Sequence, residues 1–295
     1  MIRRKLTGGL YGAAAAACYG MNPLFALPLI NNGIGVNSVL FYRYVFAVII
    51  FGIWVKFFKK ISLKITLKEF FLLFIMGIMF SLSSLTLFMS YTYIDAGIAS
   101  TILFIYPVLV AVLMAIFFKE RLCFSAILSI LLTTIGIGLL YNGKLGQSLN
   151  LTGVILVFLS ALTYAIYIIG VKNIPAIKHI NTAKLSFYVM LFGLLVYVIN
   201  LKFCTELQFI HTPVLWLSAI ALSILPTIVS LEAMTISIKL IGSTPAAVLG
   251  ALEPVTALFF GVVVFHEQLT PRIITGIITI LTAVLMIILA KDKHR

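Results

Sequence analysis

Long apolar runs follow one another along almost the whole of this 295-residue chain, and short polar stretches separate them. A helix needs about 20 apolar residues to cross the hydrocarbon core of a bilayer. Ten runs reach roughly that length. They are 7–29, 36–58, 68–92, 96–118, 122–141, 151–171, 182–201, 213–237, 243–265 and 271–290.

The runs predict helices rather than strands. Backbone groups in lipid must satisfy their own hydrogen bonds, which leaves only helices and closed barrels. Barrel strands alternate apolar and polar residues over about ten positions, and these runs do not alternate. We therefore expect an all-α integral membrane protein with ten transmembrane helices.

Arg3, Arg4 and Lys5 imitate the start of a signal peptide. Because the apolar run continues to Ile30, we expect an uncleaved first helix.

Composition excludes a soluble globular enzyme. Hydrophobic residues make up 62% of the chain and charged residues only 10%, whereas a soluble protein carries about 25% charged residues. The three cysteines, Cys18, Cys123 and Cys204, fit neither a metal-ligand spacing nor a disulfide framework. The sequence predicts no metal ion and no cofactor.

The distribution of positive charge predicts the topology. A net charge of +13 would suggest nucleic acid in a soluble domain. Here the termini and the connections 2–3, 4–5, 6–7 and 8–9 hold 17 of the 21 Lys and Arg residues. The opposite side holds three, Lys144, Lys202 and Arg272, and Arg43 lies within a run. Cytoplasmic loops carry the excess of Lys and Arg, so we expect both termini in the cytoplasm and no nucleic-acid partner.

The two halves of the chain resemble each other. At an offset of 147, matches include Pro107 with Pro254 and Glu120 with Glu267, the proline and the glutamate being 13 residues apart in both halves. Further matches are Ser83 with Ser230, Ser90 with Ser237 and, at an offset of 145, Tyr19 with Tyr164. The sequence predicts two repeats, 1–145 and 146–295. Each holds five spans, an odd number, so the second repeat is expected to be inverted. Inverted repeats are typical of secondary transporters, whose substrate site lies near the midplane.

The chain also resembles the EamA-type transporters of the drug/metabolite transporter superfamily. In the second half the resemblance rests on Ile241-Gly242-Ser243-Thr244-Pro245-Ala246-Ala247, Leu252-Glu253-Pro254-Val255 and His266-Glu267-Gln268-Leu269-Thr270. In the first half it rests on Ala96-Gly97-Ile98-Ala99-Ser100, Tyr106-Pro107-Val108, Lys119-Glu120-Arg121-Leu122 and Phe41-Tyr42-Arg43-Tyr44. Tyr19-Gly20 departs from the Trp-Gly of many members. The resemblance implies a ten-helix fold, alternating access, a multi-pass location in bacterial inner membranes and export of amino acids or other small metabolites.

Three ionisable residues inside the runs are candidates for substrate binding or coupling. Glu253 precedes Pro254 well inside span nine, where a carboxylate is expensive and should face a cavity or a partner. It is a candidate amine ligand or proton-coupling acid, or a brace for the helix break. Glu232 has no acidic counterpart in the first half, and solvation at the inner surface is its alternative. Arg43 suits a substrate carboxylate, or else snorkels to the outer surface.

Prolines mark the candidate gates and hinges. Pro23, Pro107, Pro226 and Pro254 each fall within a run, and a proline removes a backbone donor and frees a carbonyl. Broken helices line the cavities of secondary transporters. Polar and aromatic residues next to breaks or at repeat-matched positions complete the candidate binding residues. They are Tyr19, Asn22, Tyr91, Tyr106 and Tyr164, of which the tyrosines offer a hydroxyl or a π face to an amine.

The sequence favours a transporter over an enzyme. An integral-membrane enzyme needs clustered acids or a His–carboxylate site, whereas the two acids nearest in sequence, Glu253 and Glu267, are 14 residues apart. His266-Glu267-Gln268-Leu269-Thr270 lacks the second histidine of His-Glu-x-x-His, and no catalytic residue is predicted. The expected partners are a small-molecule substrate, the lipid bilayer and, as a candidate coupling ion, protons. The alternative is a facilitated uniporter or channel-like permease for small metabolites.

Overall fold

All regular secondary structure in the described part of the chain is helical. A computed structural model describes residues 2–119, 124–141, 149–241 and 249–293. Seven helices there are long and apolar enough to cross a bilayer, and three further apolar helices are shorter. The seven are Leu6–Asn31, Val36–Phe58, Leu67–Ser90, Ala96–Phe118, Leu151–Val171, Thr182–Asn200 and Pro213–Met234. The three are Ile127–Leu140, Leu252–Phe265 and Pro271–Met286. The all-helical membrane fold is confirmed, and the count of ten spans stays a prediction.

The described residues of the first half form seven helices, because two of the apolar runs there are interrupted. They are α1 (Ile2–Gly20), α2 (Asn22–Asn31), α3 (Val36–Ile53), α4 (Leu67–Ser90), α5 (Ala96–Leu103), α6 (Tyr106–Phe118) and α7 (Phe124–Tyr141). A π-helical segment, Trp54–Phe58, continues α3.

In the described residues of the second half the interruptions fall at other places. Its helices are α8 (Leu151–Asn173), α9 (Pro175–Lys178), α10 (Thr182–Asn200), α11 (Pro213–Ser223), α12 (Ser230–Ile241), α13 (Leu252–Phe265) and α14 (Pro271–Lys293). A π-helical segment, Ile224–Val229, joins α11 to α12. The predicted runs 122–141 and 243–265 both begin outside the described residues.

Proline positions account for the interruptions. Pro23 and Pro107 lie in the first turns of α2 and α6, and Pro254 lies in the first turn of α13. The first turn tolerates proline because its N–H groups have no partner within the helix. Pro226 instead lies inside the π-helical segment Ile224–Val229. The chain thus starts new helices at three of these prolines and widens the helix at the fourth.

Two groups of packed helices each draw on both halves of the chain. In the first group, here called the α1 bundle, α1 packs on α12 and α13. In the second, the α8 bundle, α4, α5 and α6 pack on α8. The first helix of each half therefore packs against later helices of the other half. The α1 and α8 bundles contact each other where α5 packs on α13.

Each bundle contains an equivalent hydrogen bond between its helices. The Ser83 hydroxyl on α4 donates to the Ser160 carbonyl on α8 over 3.0 Å. The Ser230 hydroxyl on α12 donates to the Ala15 carbonyl on α1 over 2.9 Å. Ser230 lies 147 residues after Ser83, and Ser160 lies 145 residues after Ala15. Serine at a helix interface permits close approach and a bond to the facing backbone, and both halves use it at the same place.

Candidate functional site

A cavity of about 210 Å³ lies between the α1 and α8 bundles. The α1 bundle supplies side chains from α1, α12 and the start of α13, and the α8 bundle supplies side chains from α4, α6 and α8. Arg43 on α3 and two residues of the π-helical segment Ile224–Val229 complete the lining. Six residues singled out from the sequence line it together with eight others. The six are Tyr19, Arg43, Tyr106, Tyr164, Pro226 and Glu253. The others are Ala15, Ala16, Phe80, Thr227, Ser230, Leu231, Met234 and Gly250.

Arg43 supplies the positive charge of this cavity. Its side chain is 2% exposed, and its Nε atom donates a hydrogen bond to the Thr227 hydroxyl over 3.0 Å. The guanidinium also lies over the Phe88 ring, 5.3 Å from the ring centre. A guanidinium carries five N–H donors, and the bond to Thr227 uses one of them. Arg43 therefore faces the cavity from within the protein instead of snorkelling to the surface.

The break at Pro226 fixes the position of Thr227. Pro226 has no N–H and so cannot donate to the carbonyl of Leu222, four residues earlier. The Thr227 hydroxyl donates to that carbonyl instead, over 3.1 Å. The same hydroxyl accepts the bond from Arg43. One side chain thus satisfies the carbonyl freed by the proline and orients the guanidinium.

Glu253 supplies a carboxylate to the same cavity. It lies in the first turn of α13, and its backbone N–H donates to the Gly250 carbonyl over 3.0 Å. A negative charge in the first turn interacts favourably with the helix dipole. The Tyr19 hydroxyl interacts with the Arg43 side chain and lies within electrostatic range of Glu253. The cavity therefore brings together a guanidinium, a carboxyl group and a tyrosine hydroxyl.

Aromatic rings of the α8 bundle form the facing wall. The rings of Tyr106 and Tyr164 meet edge to face with their centres 4.9 Å apart. Phe80 lies 6.2 Å from Tyr164, centre to centre. Faces of aromatic rings attract cations, and tyrosine adds a hydroxyl. This wall can accept an apolar or a cationic group of a ligand.

Comparison with known proteins assigns the chain to a family. The family model of the EamA-like transporters matches the chain twice, over residues 6–142 and 151–289. The chain belongs to the EamA-like transporter family. The resemblance seen in its motifs is thereby confirmed, and the family together with the apolar helices indicates a multi-pass membrane protein.

Two further similarities agree with the EamA-like assignment. An uncharacterized transporter of Archaeoglobus fulgidus is 30% identical over 125 residues, which cover 42% of this chain and 43% of that protein. The matched part is thus less than half of that relative. A protein of known crystal structure superimposes with a TM-score of 0.69 at 15% identity, covering 98% of both chains. At that identity the likeness concerns the fold alone.

Other residues singled out from the sequence lie outside the cavity of this EamA-like transporter. Glu232 forms an ion pair with Lys59, with 2.7 Å between Oε2 and Nζ. Asn22 is buried and donates from Nδ2 to the Tyr19 carbonyl over 2.8 Å, at the junction between α1 and α2. Tyr91 is buried with its ring centre 5.4 Å from that of Phe88. Pro23, Pro107 and Pro254 are likewise not among the cavity-lining residues.

The sequence did not point to Thr227, Phe80 or Met234, which also line the cavity. For Thr227 a signal was present, because a hydroxyl residue directly after an intrahelical proline is placed to replace the missing donor. Phe80 and Met234 carry no such signal. Apolar residues are common throughout the chain, and nothing in their pattern distinguishes a cavity wall from a lipid-facing surface.

Proposed function

We propose that this protein is a secondary transporter that exports small zwitterionic metabolites, foremost amino acids, by alternating access. The observation that carries the proposal is that Arg43 and Glu253 line one cavity. Arg is suited to a substrate carboxylate because of its planar fork of donors. Glu253 is suited to an ammonium group or to a coupled proton. The tyrosine wall offers a second site for the ammonium group.

The proposed topology has ten spans in two inverted repeats, 1–145 and 146–295, with both termini in the cytoplasm of a bacterial cell. The seven long helices and the three shorter apolar helices supply the ten candidates. The excess of Lys and Arg on one side supplies the orientation. The equivalent bonds of Ser83 and Ser230 support the repeat.

Closure of one end of the cavity supports loading from the cytoplasm. The α1 and α8 bundles meet where α5 packs on α13, which the topology places at the outer end. The cavity lining continues past Glu253 to Gly250 and, on α12, to Met234, which lie towards the cytoplasm. A cavity that extends in that direction suits uptake of a substrate from the cytoplasm, as an exporter requires.

Flux measurements in proteoliposomes test the proposal. We expect transport of one or more radiolabelled amino acids, and no transport of the matching amine or carboxylic acid that lacks one of the two charges. Glu253→Gln and Glu253→Ala should abolish or uncouple flux. Because charged hydrogen bonds contribute about 1.5–3 kcal/mol, Arg43→Gln should weaken substrate binding by roughly tenfold to a hundredfold.

Glu69→Gln is the matched control. Glu69 is a carboxylate in the first turn of α4, where it accepts a bond from the Thr66 backbone N–H, and it is not among the residues that line the cavity. Its substitution should leave flux unchanged. Wild-type flux and pH dependence in both Glu253 variants would refute the role of Glu253. Flux that is indifferent to an imposed proton gradient would favour the uniporter alternative.

A further inference from the structure

Glu267 joins the two bundles at the outer end of the molecule. It follows α13 and its own backbone N–H donates to the Gly261 carbonyl over 2.9 Å. Its side chain reaches the first turn of α5, where Oε1 accepts from the Ala96 N–H over 2.8 Å. Oε2 accepts from the Gly97 N–H over 3.2 Å. A residue of the second half of the chain thus caps a helix of the first half.

The surroundings of Glu267 are shaped for a carboxylate. A Cβ atom added at Gly97 would lie 2.9 Å from Oε2, and one added at Gly261 would lie 2.3 Å from it. Both helices therefore lack a side chain where the carboxylate enters. The first N–H groups of a helix have no partner within the helix, and the helix dipole favours a negative charge there. The helix dipole, the backbone N–H donors and the space left by the two glycines all favour a carboxylate at this position.

Water can reach the same carboxylate from the outer side. Glu267 lines a second cavity, of about 330 Å³, together with Asn31, Tyr91, Tyr93 and Asp95. A charge released from its partners costs far less where water can solvate it than in a dry interior. The bonds between Glu267 and α5 are therefore strong enough to hold the bundles together and can still be exchanged for water.

We propose that Glu267 is the latch of the outer gate. In this structure the latch is closed, and separation of α5 from α13 breaks its bonds to the α5 backbone. This inference rests on the alternating access proposed above. The latch acts on the equilibrium between outward-closed and outward-open conformations and does not touch the substrate. Glu120, the counterpart of Glu267 at the offset of 147, lies outside the described residues.

Thiol labelling of the central cavity tests the latch without any substrate. Ala16→Cys places a reporter on the cavity wall, in a background where Cys18, Cys123 and Cys204 are replaced by serine. A membrane-impermeant maleimide is applied to intact cells for the outer face and to inverted vesicles for the inner face. We expect Glu267→Ala to raise the outer labelling rate about tenfold or more, as loss of a charged hydrogen bond implies, and to lower the inner rate.

Two further variants keep the test decisive. Glu267→Gln retains an acceptor oxygen without the charge and should give a smaller shift in the same direction, which covers the case that the alanine variant fails to insert. Glu69→Gln removes a carboxylate that caps its own helix and should change neither rate.

Unchanged labelling from both faces in Glu267→Ala and Glu267→Gln, with unchanged thermal stability, would refute the latch. A rise in the labelling rate from the inner face would support the latch and would show that the orientation in the membrane is the reverse of the one proposed. Absence of amino acid flux in a protein whose labelling shifts as expected would refute the proposed substrate class alone.

Discussion

At the scale of single residues, the Thr227 hydroxyl connects the helix break to the charged site. It donates to the Leu222 carbonyl that Pro226 leaves without a partner, and it accepts from Arg43 Nε. A buried guanidinium is costly unless its bonds are satisfied and its position is fixed. The hydroxyl that positions Arg43 is therefore the same one that satisfies the Leu222 carbonyl.

Thr227→Val and Thr227→Ser separate these tasks. Valine has nearly the shape of threonine but no hydroxyl, so it leaves the Leu222 carbonyl unsatisfied, at a cost of about 1–3 kcal/mol. We expect a lower melting temperature in detergent and weaker transport in Thr227→Val, and near wild-type values in Thr227→Ser. Wild-type transport by the valine variant would show that the Thr227 hydroxyl is not required to position Arg43.

Several cavity residues were predictable from the sequence because a bilayer tolerates few ionisable groups. Arg43 and Glu253 had to face a cavity or a partner, and both line the cavity. Glu232 has a partner instead of a cavity, because it forms an ion pair with Lys59. Lys59 is a loop residue 173 positions away, and no local sequence pattern connects the two. Asn22 is polar within the first apolar run and Tyr91 lies near a break, but the direction of each side chain depends on the rotation of its helix. An almost entirely apolar span gives no periodic signal from which to read that rotation.

At the scale of helices, the close contact between the end of α1 and the start of α13 sets the wall beside Glu253. A Cβ atom added at Gly20 would lie 2.5 Å from the Glu253 carbonyl oxygen and 2.7 Å from Thr256 Cβ. The Glu253 carbonyl belongs to the backbone, which cannot rotate away as a flexible side chain could. Glycine at position 20 therefore determines how closely α1 approaches the carboxylate-bearing turn.

Gly20→Ala should displace this turn. Overpacking costs about 1–3 kcal/mol, so we expect a lower melting temperature together with reduced flux. Gly9→Ala in the same helix is the matched control, because a Cβ atom there meets nothing within 4 Å. That variant should be neutral or stabilised by up to about 1 kcal/mol. Equal effects of the two substitutions would refute the close-contact explanation.

The helices themselves were easier to predict than their irregularities. Length and hydrophobicity located the apolar segments, and the prolines located the starts of α2 and α6. The π-helical segment Trp54–Phe58 contains no proline, so the sequence did not mark it. A single widened turn follows from tertiary packing and lacks a local signal of its own.

At the scale of the whole molecule, the topology can be tested directly. Ser62 lies between α3 and α4, on the side predicted to be cytoplasmic, and His211 lies between α10 and α11, on the opposite side. Both are exposed. We expect cysteine at 62 to react with an impermeant maleimide only in inverted vesicles, and cysteine at 211 only in intact cells, each in the background without native cysteines. Labelling of both positions from one face would refute the alternation of the spans.

The pairing of the first helix with α12 also has a consequence for biosynthesis. The chain runs 210 residues from Gly20, at the end of α1, to Ser230, at the start of α12. At about 5–20 residues per second, translation takes roughly 10–40 s to cover that distance. During this time α1 is in the bilayer without the partner whose serine bonds to its backbone, and lipid or the insertion machinery must cover that face. Helix α1 therefore completes its packing only after more than 200 further residues have been synthesised.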